Sequence, residues 1–310
     1  MRRSVDLIRK AFEHQNPDRL PRGELWLGTE LFQKAQLKDN VEGHLKLRNH
    51  LGMDLLFLPL VAPRISNPVL GYRYFSLDEV QEAVKISALF VGVIIDGPFQ
   101  RLVEKQGLVS LLKAWRKNEQ VIIQEYKKEA AEVNILITQC LRLKVGAVVI
   151  ADDLAWKDST YFNPDDLKGL LTHFYAKAVT RIHAGGAYAL FHSCGNINGV
   201  IPQLTACGFD GLAACQTQCS DLTLLKKEYG SKLTFLAGIE ADLLETEPLT
   251  LSQRRKFAKR VNSLAKGGGF ILCSSCGLYS SNFLESLPKL YRLAEESLTL
   301  LNRNQGLIHF

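Results

Sequence analysis

Eight short apolar runs recur along this chain, at residues 24–28, 54–60, 91–96, 145–150, 187–191, 211–215, 233–238 and 270–273. Most are continuous rather than alternating, which marks strands covered on both faces. Amphipathic stretches of helical period separate them. Residues near 4–14 put Val5, Ile8, Ala11 and Phe12 on one face. Residues near 29–50 read as one helix ended by Gly52, and Ser76-Leu77-Asp78-Glu79 reads as a capped helix start. Residues 102–143 hold more than one helix. Asn163-Pro164-Asp165-Asp166 is an N-cap with proline at the first helical position, for a helix running to Ala184. Further helices are expected near 201–207, 220–229, 252–265 and 283–301. Strand and helix alternate without a domain-length linker. The expectation is a single α/β domain over residues 1–310, and eight strands favour a closed (β/α)8 TIM barrel over an open sheet. No G-x-G-x-x-G follows the first strand, which argues against a dinucleotide fold.

Composition narrows the function. With 310 residues, 46% of them hydrophobic, the chain can bury a large core. The net charge of +6 is mild, and its lysines and arginines are spread along helices, so nucleic acid is not an expected partner. Seven cysteines do not pair evenly and read as reduced thiols of a cytoplasmic protein. The first residues lack a signal-peptide core, and no apolar run approaches a membrane span.

In a barrel of this kind, chemistry sits just past the C-terminal strand ends. Those ends carry Gly97-Pro98-Phe99-Gln100, Asp152-Asp153, His192-Ser193-Cys194, Gln216, Glu240 and Cys273-Ser274-Ser275-Cys276. Residues two apart on a strand point the same way, so His192 and Cys194 present an imidazole and a thiol together. These are ligand types that zinc favours. A third thiol stands 82 residues after Cys194, at Cys276, too far for a zinc finger but natural for two strands sharing one mouth. Alone, His192 would read as a core histidine, Cys194 as a small hydrophobe and the Asp152-Asp153 pair as a helix-capping turn. Cys140 and Cys207 read as packing residues. Gly267-Gly268-Gly269 precedes a strand and reads as a turn rather than a phosphate cradle.

As a set, Asp96-Gly97-Pro98-Phe99, Ala151-Asp152-Asp153-Leu154, Phe191-His192-Ser193-Cys194-Gly195-Asn196, Leu236-Ala237-Gly238-Ile239-Glu240 and Gly267-Gly268-Gly269-Phe270-Ile271-Leu272 resemble the uroporphyrinogen decarboxylase superfamily. The arginine-rich early motif and the aspartate of the true decarboxylases are missing, since residues 24–29 read Glu-Leu-Trp-Leu-Gly-Thr and residues 56–59 read Leu-Phe-Leu-Pro. His192, Cys194 and Cys276-Gly277 instead match the branch of zinc-dependent corrinoid methyltransferases. That resemblance implies zinc held by His192, Cys194 and a third cysteine, with methylcobalamin or a corrinoid-binding protein as partner and a small-molecule methyl acceptor or donor. Asp152 or Glu240 would fill the open zinc position or orient a ligand, and Asp153 and Gln216 would face the cofactor. Cys273 and Cys276 compete as third ligand. Cys276 is preferred because Cys273 still lies within the strand, whereas Gly277 permits a turn that aims Cys276 over the mouth. Two alternatives stand beside this reading. One is an upstream enzyme that demethylates a methyl ether or methylamine onto a corrinoid protein. The other is a cofactor-free decarboxylase or lyase using Asp152 and Asp153.

Overall fold

Seven of the eight apolar runs are strands. The computed structural model describes residues 3–60, 71–117, 120–163, 169–275 and 277–306. Along them run α1 (Arg3–Phe12), α2 (Thr29–Lys34), α3 (Val41–His50), β1 (Leu55–Pro59), α4 (Leu77–Ile86), β2 (Phe90–Asp96), α5 (Pro98–Gln106), α6 (Leu108–Arg116), α7 (Gln120–Arg142) and β3 (Ala147–Ala151). Then come α8 (Leu170–Ala184), β4 (Tyr188–His192), α9 (Ile201–Ala206), β5 (Gly211–Ala213), α10 (Leu222–Tyr229), β6 (Thr234–Ile239), α11 (Ala241–Glu245), α12 (Leu251–Ala265), β7 (Phe270–Ser274) and α13 (Phe283–Gly306). All seven strands are parallel and pair in chain order, β1 to β7. None of the described helices is long and apolar enough to cross a membrane.

Alternation sorts each strand into two cores. Leu55, Phe57, Phe90, Ile94, Ala147, Val149, Ala151, Leu190, Ala213, Leu236, Ile271 and Cys273 pack together, although they come from all seven strands. Their neighbours in sequence, such as Leu56, Val93, Ile95, Val148, Ile150, Phe191, Phe235 and Leu272, pack among the helices. One face of seven strands can share a single core only if the sheet curls, so the sheet has a concave face and a helix-covered convex one. The face of α1 read from the sequence closes the bottom of the concave core. Ile8, Ala11 and Phe12 join that core, and Phe12 stacks on Tyr188 of β4 with ring centroids 4.4 Å apart.

The expected first strand at residues 24–28 is the correction. It forms no strand, yet its segment touches both edges of the sheet. Asp54 N donates to Arg22 O at 2.8 Å beside β1, and Gly23 N donates to Leu272 O at 3.0 Å on β7. A regular ladder is replaced by one side chain. Arg48 of α3 is wholly buried, and its Nη1 donates to Glu24 O at 2.5 Å and Leu55 O at 3.3 Å. Its Nη2 donates to Leu25 O and Phe57 O, both at 3.3 Å. Burial pushes the guanidinium down to about 10, so it keeps its charge at neutral pH. On the far side the buried Glu24 carboxylate accepts Ser274 N at 2.9 Å and the Tyr291 hydroxyl at 3.0 Å. The edges of β1 and β7 are thus joined through polar side chains whose partners lie far away in sequence.

Other boundaries moved less. The helix expected over residues 29–50 is two, because Asn40 caps α3 by accepting Gly43 N at 2.9 Å. The capping box at Ser76 and Glu79 is present. The helix ending at Ala184 is α8, while Pro164, Asp165 and Asp166 of its expected cap lie outside the described residues. Replacing Arg48 by Leu should cost about 3 kcal/mol or more, because several buried carbonyls lose their donor at once. Urea unfolding of the variant tests this, and a loss below about 1 kcal/mol would mean the segment is held by other contacts.

Candidate metal centre

His192 ends β4 on the concave face, with Phe191 before it turned to the helices. The ring is oriented from behind. Nδ1 lies 2.8 Å from Ala213 O, and a carbonyl only accepts, so Nδ1 carries the proton and Nε2 keeps its lone pair for the mouth. The Trp26 ring packs edge-on against it at 4.7 Å between centroids. Cys194 follows in a turn that needs glycine next. Gly195 has φ +83°, and a Cβ there would lie 2.4 Å from Trp156 O. Gln216 Oε1 accepts Gly195 N at 2.8 Å, and Asp153 Oδ1 accepts Cys194 N at 2.7 Å.

Three donor types therefore converge. Cys194 Sγ is 3.8 Å from His192 Nε2, and Nε2 is 4.0 Å from Asp153 Oδ1. All three ligand atoms lie within 4.8 Å of one another. Around a tetrahedral zinc, sulfur and nitrogen ligands stand roughly 3.6 Å apart, so this donor set fits the ion. Cys276, the preferred third ligand of the sequence reading, lies outside the described residues.

Neighbouring candidates went elsewhere. Asp152 follows Ala151, so alternation turns it to the convex side, away from His192. There it is fully buried, accepting Gln100 N at 2.7 Å and the Tyr175 hydroxyl at 2.8 Å. It caps the start of α5, and Gly97 makes room, since a Cβ at residue 97 would lie 2.2 Å from the carboxylate. Burial above all pushes this carboxyl up to about 8. Glu240 Oε1 is held by Thr217 Oγ1 at 2.8 Å and by Arg260 at 2.5 Å. Cys273 lies within β7 on the concave face, 1% exposed, its sulfur 3.7 Å from Glu24 Oε2. Burial raises that thiol well above its ordinary range, so it stays protonated. It stands apart from the group formed by Asp153, His192 and Cys194.

Two residues at the centre carried no assigned role in the sequence reading. Trp26 had no signal beyond its type. Asp96 had one, as the only charge ending an apolar strand. It shares the in-register row Asp96–Ala151–His192 and so faces inward with His192. Burial, and next the charge of Glu104, push its carboxyl up to about 7.

The raised Asp152 carboxyl sets a pH dependence. Its folded form holds a proton that the unfolded chain releases near the ordinary aspartate value of about 4. Its contribution to stability therefore falls as pH rises from that value through about 8. Asp152→Asn should flatten this part of the urea-midpoint profile while zinc content stays unchanged. An Asn variant that loses zinc would return Asp152 to the mouth.

No family model matches the chain. Among curated proteins, Methylcobamide:CoM methyltransferase MtaA of Methanosarcina barkeri is 23% identical over 227 residues, which are 70% of this chain and 63% of that protein. The chain thus matches less than two thirds of that relative's length. Among solved structures, a methyltransferase from Methanosarcina mazei superposes with a TM-score of 0.70 at 17% identity, covering 93% of this chain and 98% of that one. An L-ribulose 3-epimerase superposes with a TM-score of 0.58 at 12% identity, covering 94% and 98%. The chain therefore resembles a corrinoid methyltransferase of the uroporphyrinogen decarboxylase-like fold, the branch to which its strand-end motifs point.

Proposed function

We propose that this chain is a methyltransferase that moves a methyl group between a corrinoid cobalt and a thiol, at a zinc centre held by His192, Cys194 and Cys276. The observation that supports this most is the His192 Nε2 and Cys194 Sγ pair, 3.8 Å apart at the end of β4 with Asp153 beside it. The fold behind the reading is a (β/α)8 barrel in which the segment at residues 21–28 stands in for the eighth strand.

Zinc bound there would favour the thiolate form of an acceptor at neutral pH. The chain's own groups do the rest. Ala213 O fixes the imidazole tautomer. Asp153 is the carboxylate placed to fill the open position before the acceptor arrives, a role the sequence offered to Asp152 or Glu240. The corrinoid, when bound, would supply the methyl group: a sulfur–carbon bond would form as the cobalt–carbon bond broke, with the electron pair left on the corrinoid and the thiol proton released to solvent. The corrinoid arrives on a separate protein that docks over the mouth. The lyase alternative needs Asp152 and Asp153 to act together, and alternation sends Asp152 to the helices and Asp153 to the mouth.

Purified protein should hold about one zinc per chain. Elemental analysis should show Cys194→Ala and Cys276→Ala metal-free, Cys207→Ala zinc-replete and Cys273→Ala at least partly loaded. A zinc-replete Cys276→Ala beside a metal-free Cys273→Ala would exchange the two assignments. With methylcobalamin and a thiol panel, absorbance should report demethylation of the corrinoid, and mass spectrometry a methyl thioether. Corrinoid methylation from a methyl ether or methylamine, with no turnover by any thiol, would place the enzyme upstream instead.

A further inference from the structure

Trp26 stands between two distant stretches of the chain that meet at the mouth. On one side its ring packs edge-on against His192, with centroids 4.7 Å apart and the planes at 62°. On the other it meets Gly277, the residue directly after Cys276. A Cβ at residue 277 would lie 3.0 Å from Trp26 Cβ and 2.9 Å from Tyr72 Oη, and Gly277 has φ +73°. A side chain there would be strained, so glycine lets the backbone pack directly on Trp26. Hydrogen bonds hold the same place. Leu278 N donates to Trp26 O at 2.9 Å, and Gly28 N donates to Leu278 O at 2.5 Å.

The imidazole needs such a neighbour. Its attachment at Cβ and the Nδ1 bond to Ala213 O hold two points of the ring and leave its tilt the softest motion. That tilt decides how Nε2 stands to Cys194 Sγ, 3.8 Å away, and to Asp153 Oδ1, 4.0 Å away. An aromatic edge contact restrains tilt, because the pair is favourable only over a narrow range of geometry. Trp26 is itself fixed, by Leu278 on its own carbonyl and by Arg48 Nη2 on the carbonyl of Leu25 at 3.3 Å.

We infer that Trp26 is a positioning residue of the metal centre. Its indole sets the tilt of His192, and its backbone anchors the chain two residues after Cys276. The inference rests on the zinc reading above. Indole offers a metal no donor atom, so Trp26 acts only through its neighbours. Neighbours that orient a ligand are commonly worth tenfold or more in metal affinity.

Zinc affinity, measured by competition with a chromophoric chelator, should fall about tenfold or more in Trp26→Ala. Trp26→Phe keeps an aromatic edge and should stay within about threefold of the wild type. With cobalt(II) in place of zinc, the visible bands report ligand geometry. They should shift or weaken in Trp26→Ala and return in Trp26→Phe. Where Trp26→Ala does not fold, Trp26→Leu keeps apolar bulk without a ring and should show the same loss. A role in packing alone would lower the urea midpoint but leave the zinc affinity and cobalt bands of the folded variant as in the wild type, and that result overturns the inference. A Phe variant as weak as the Ala variant overturns it too. If the wild type binds neither metal, the zinc reading fails, and nitrogen-15 spectra of the imidazoles in metal-free protein decide on Trp26 separately, with His192 identified by His192→Gln. A single Nδ1-protonated form in the wild type and the Phe variant, averaged in the Ala variant, supports the positioning role, whereas identical spectra in all three overturn it.

Discussion

A parallel strand buried on both faces has one geometric freedom, the choice of which alternate residues face which side, and this molecule depends on that choice. Even a single-residue slip of β4 would send His192 into the helix layer and Phe191 into the mouth. Register is pinned because both cores are full. Leu190 and Ala151 pack inside while Phe191 and Ile150 pack outside, each wholly or almost wholly buried. The candidate metal centre continues that packing at and just past the last ladder pair. His192 and Cys194 carry on the inward series, and Asp153 does the same one strand away.

The same rule separates two adjacent aspartates. Asp152 and Asp153 are neighbours in sequence but serve different layers. Asp152 holds α5 to α8 through Gln100 and Tyr175, whereas Asp153 steadies the Cys194 amide and presents its carboxylate to the imidazole. Burial makes the first a poor anion. The second is 41% exposed on its side chain, open enough to stay hydrated until a ligand replaces the water. One acid supports the scaffold and the other faces the mouth beside His192 and Cys194.

Curling seven strands leaves two edges, and unpaired edges are costly inside a protein. The segment before β1 covers them without becoming a strand. Arg48 supplies the donors that a ladder would have supplied, and Glu24 reaches across to β7 and α13. This arrangement buries Cys273 beside Glu24, and burial first, the nearby carboxyl second, keeps that thiol protonated and occupied with structure. The closing segment and the concave core are therefore coupled, and Trp26, carried by that segment, reaches the His192 ring.

Much of this was legible in the amino-acid order. Apolar runs of strand length separated by amphipathic stretches determine a parallel α/β sheet, because only strands covered on both faces tolerate such runs. His-x-Cys at a strand end determines an imidazole and a thiol on one side, because alternation is local. The face of α1 and the capping box at Ser76 are local as well. What only the tertiary structure decided are relations between distant positions. Residues 24–28 carry strand-like residues, yet their carbonyls found Arg48, some twenty residues on, before they found a ladder. Asp152 reads like a mouth residue until the inward phase of β3 is known, and that phase depends on the packing of both neighbouring strands. Asp96 gained its place in the row of His192 through two register pairings across three strands, a relation that no local spacing encodes.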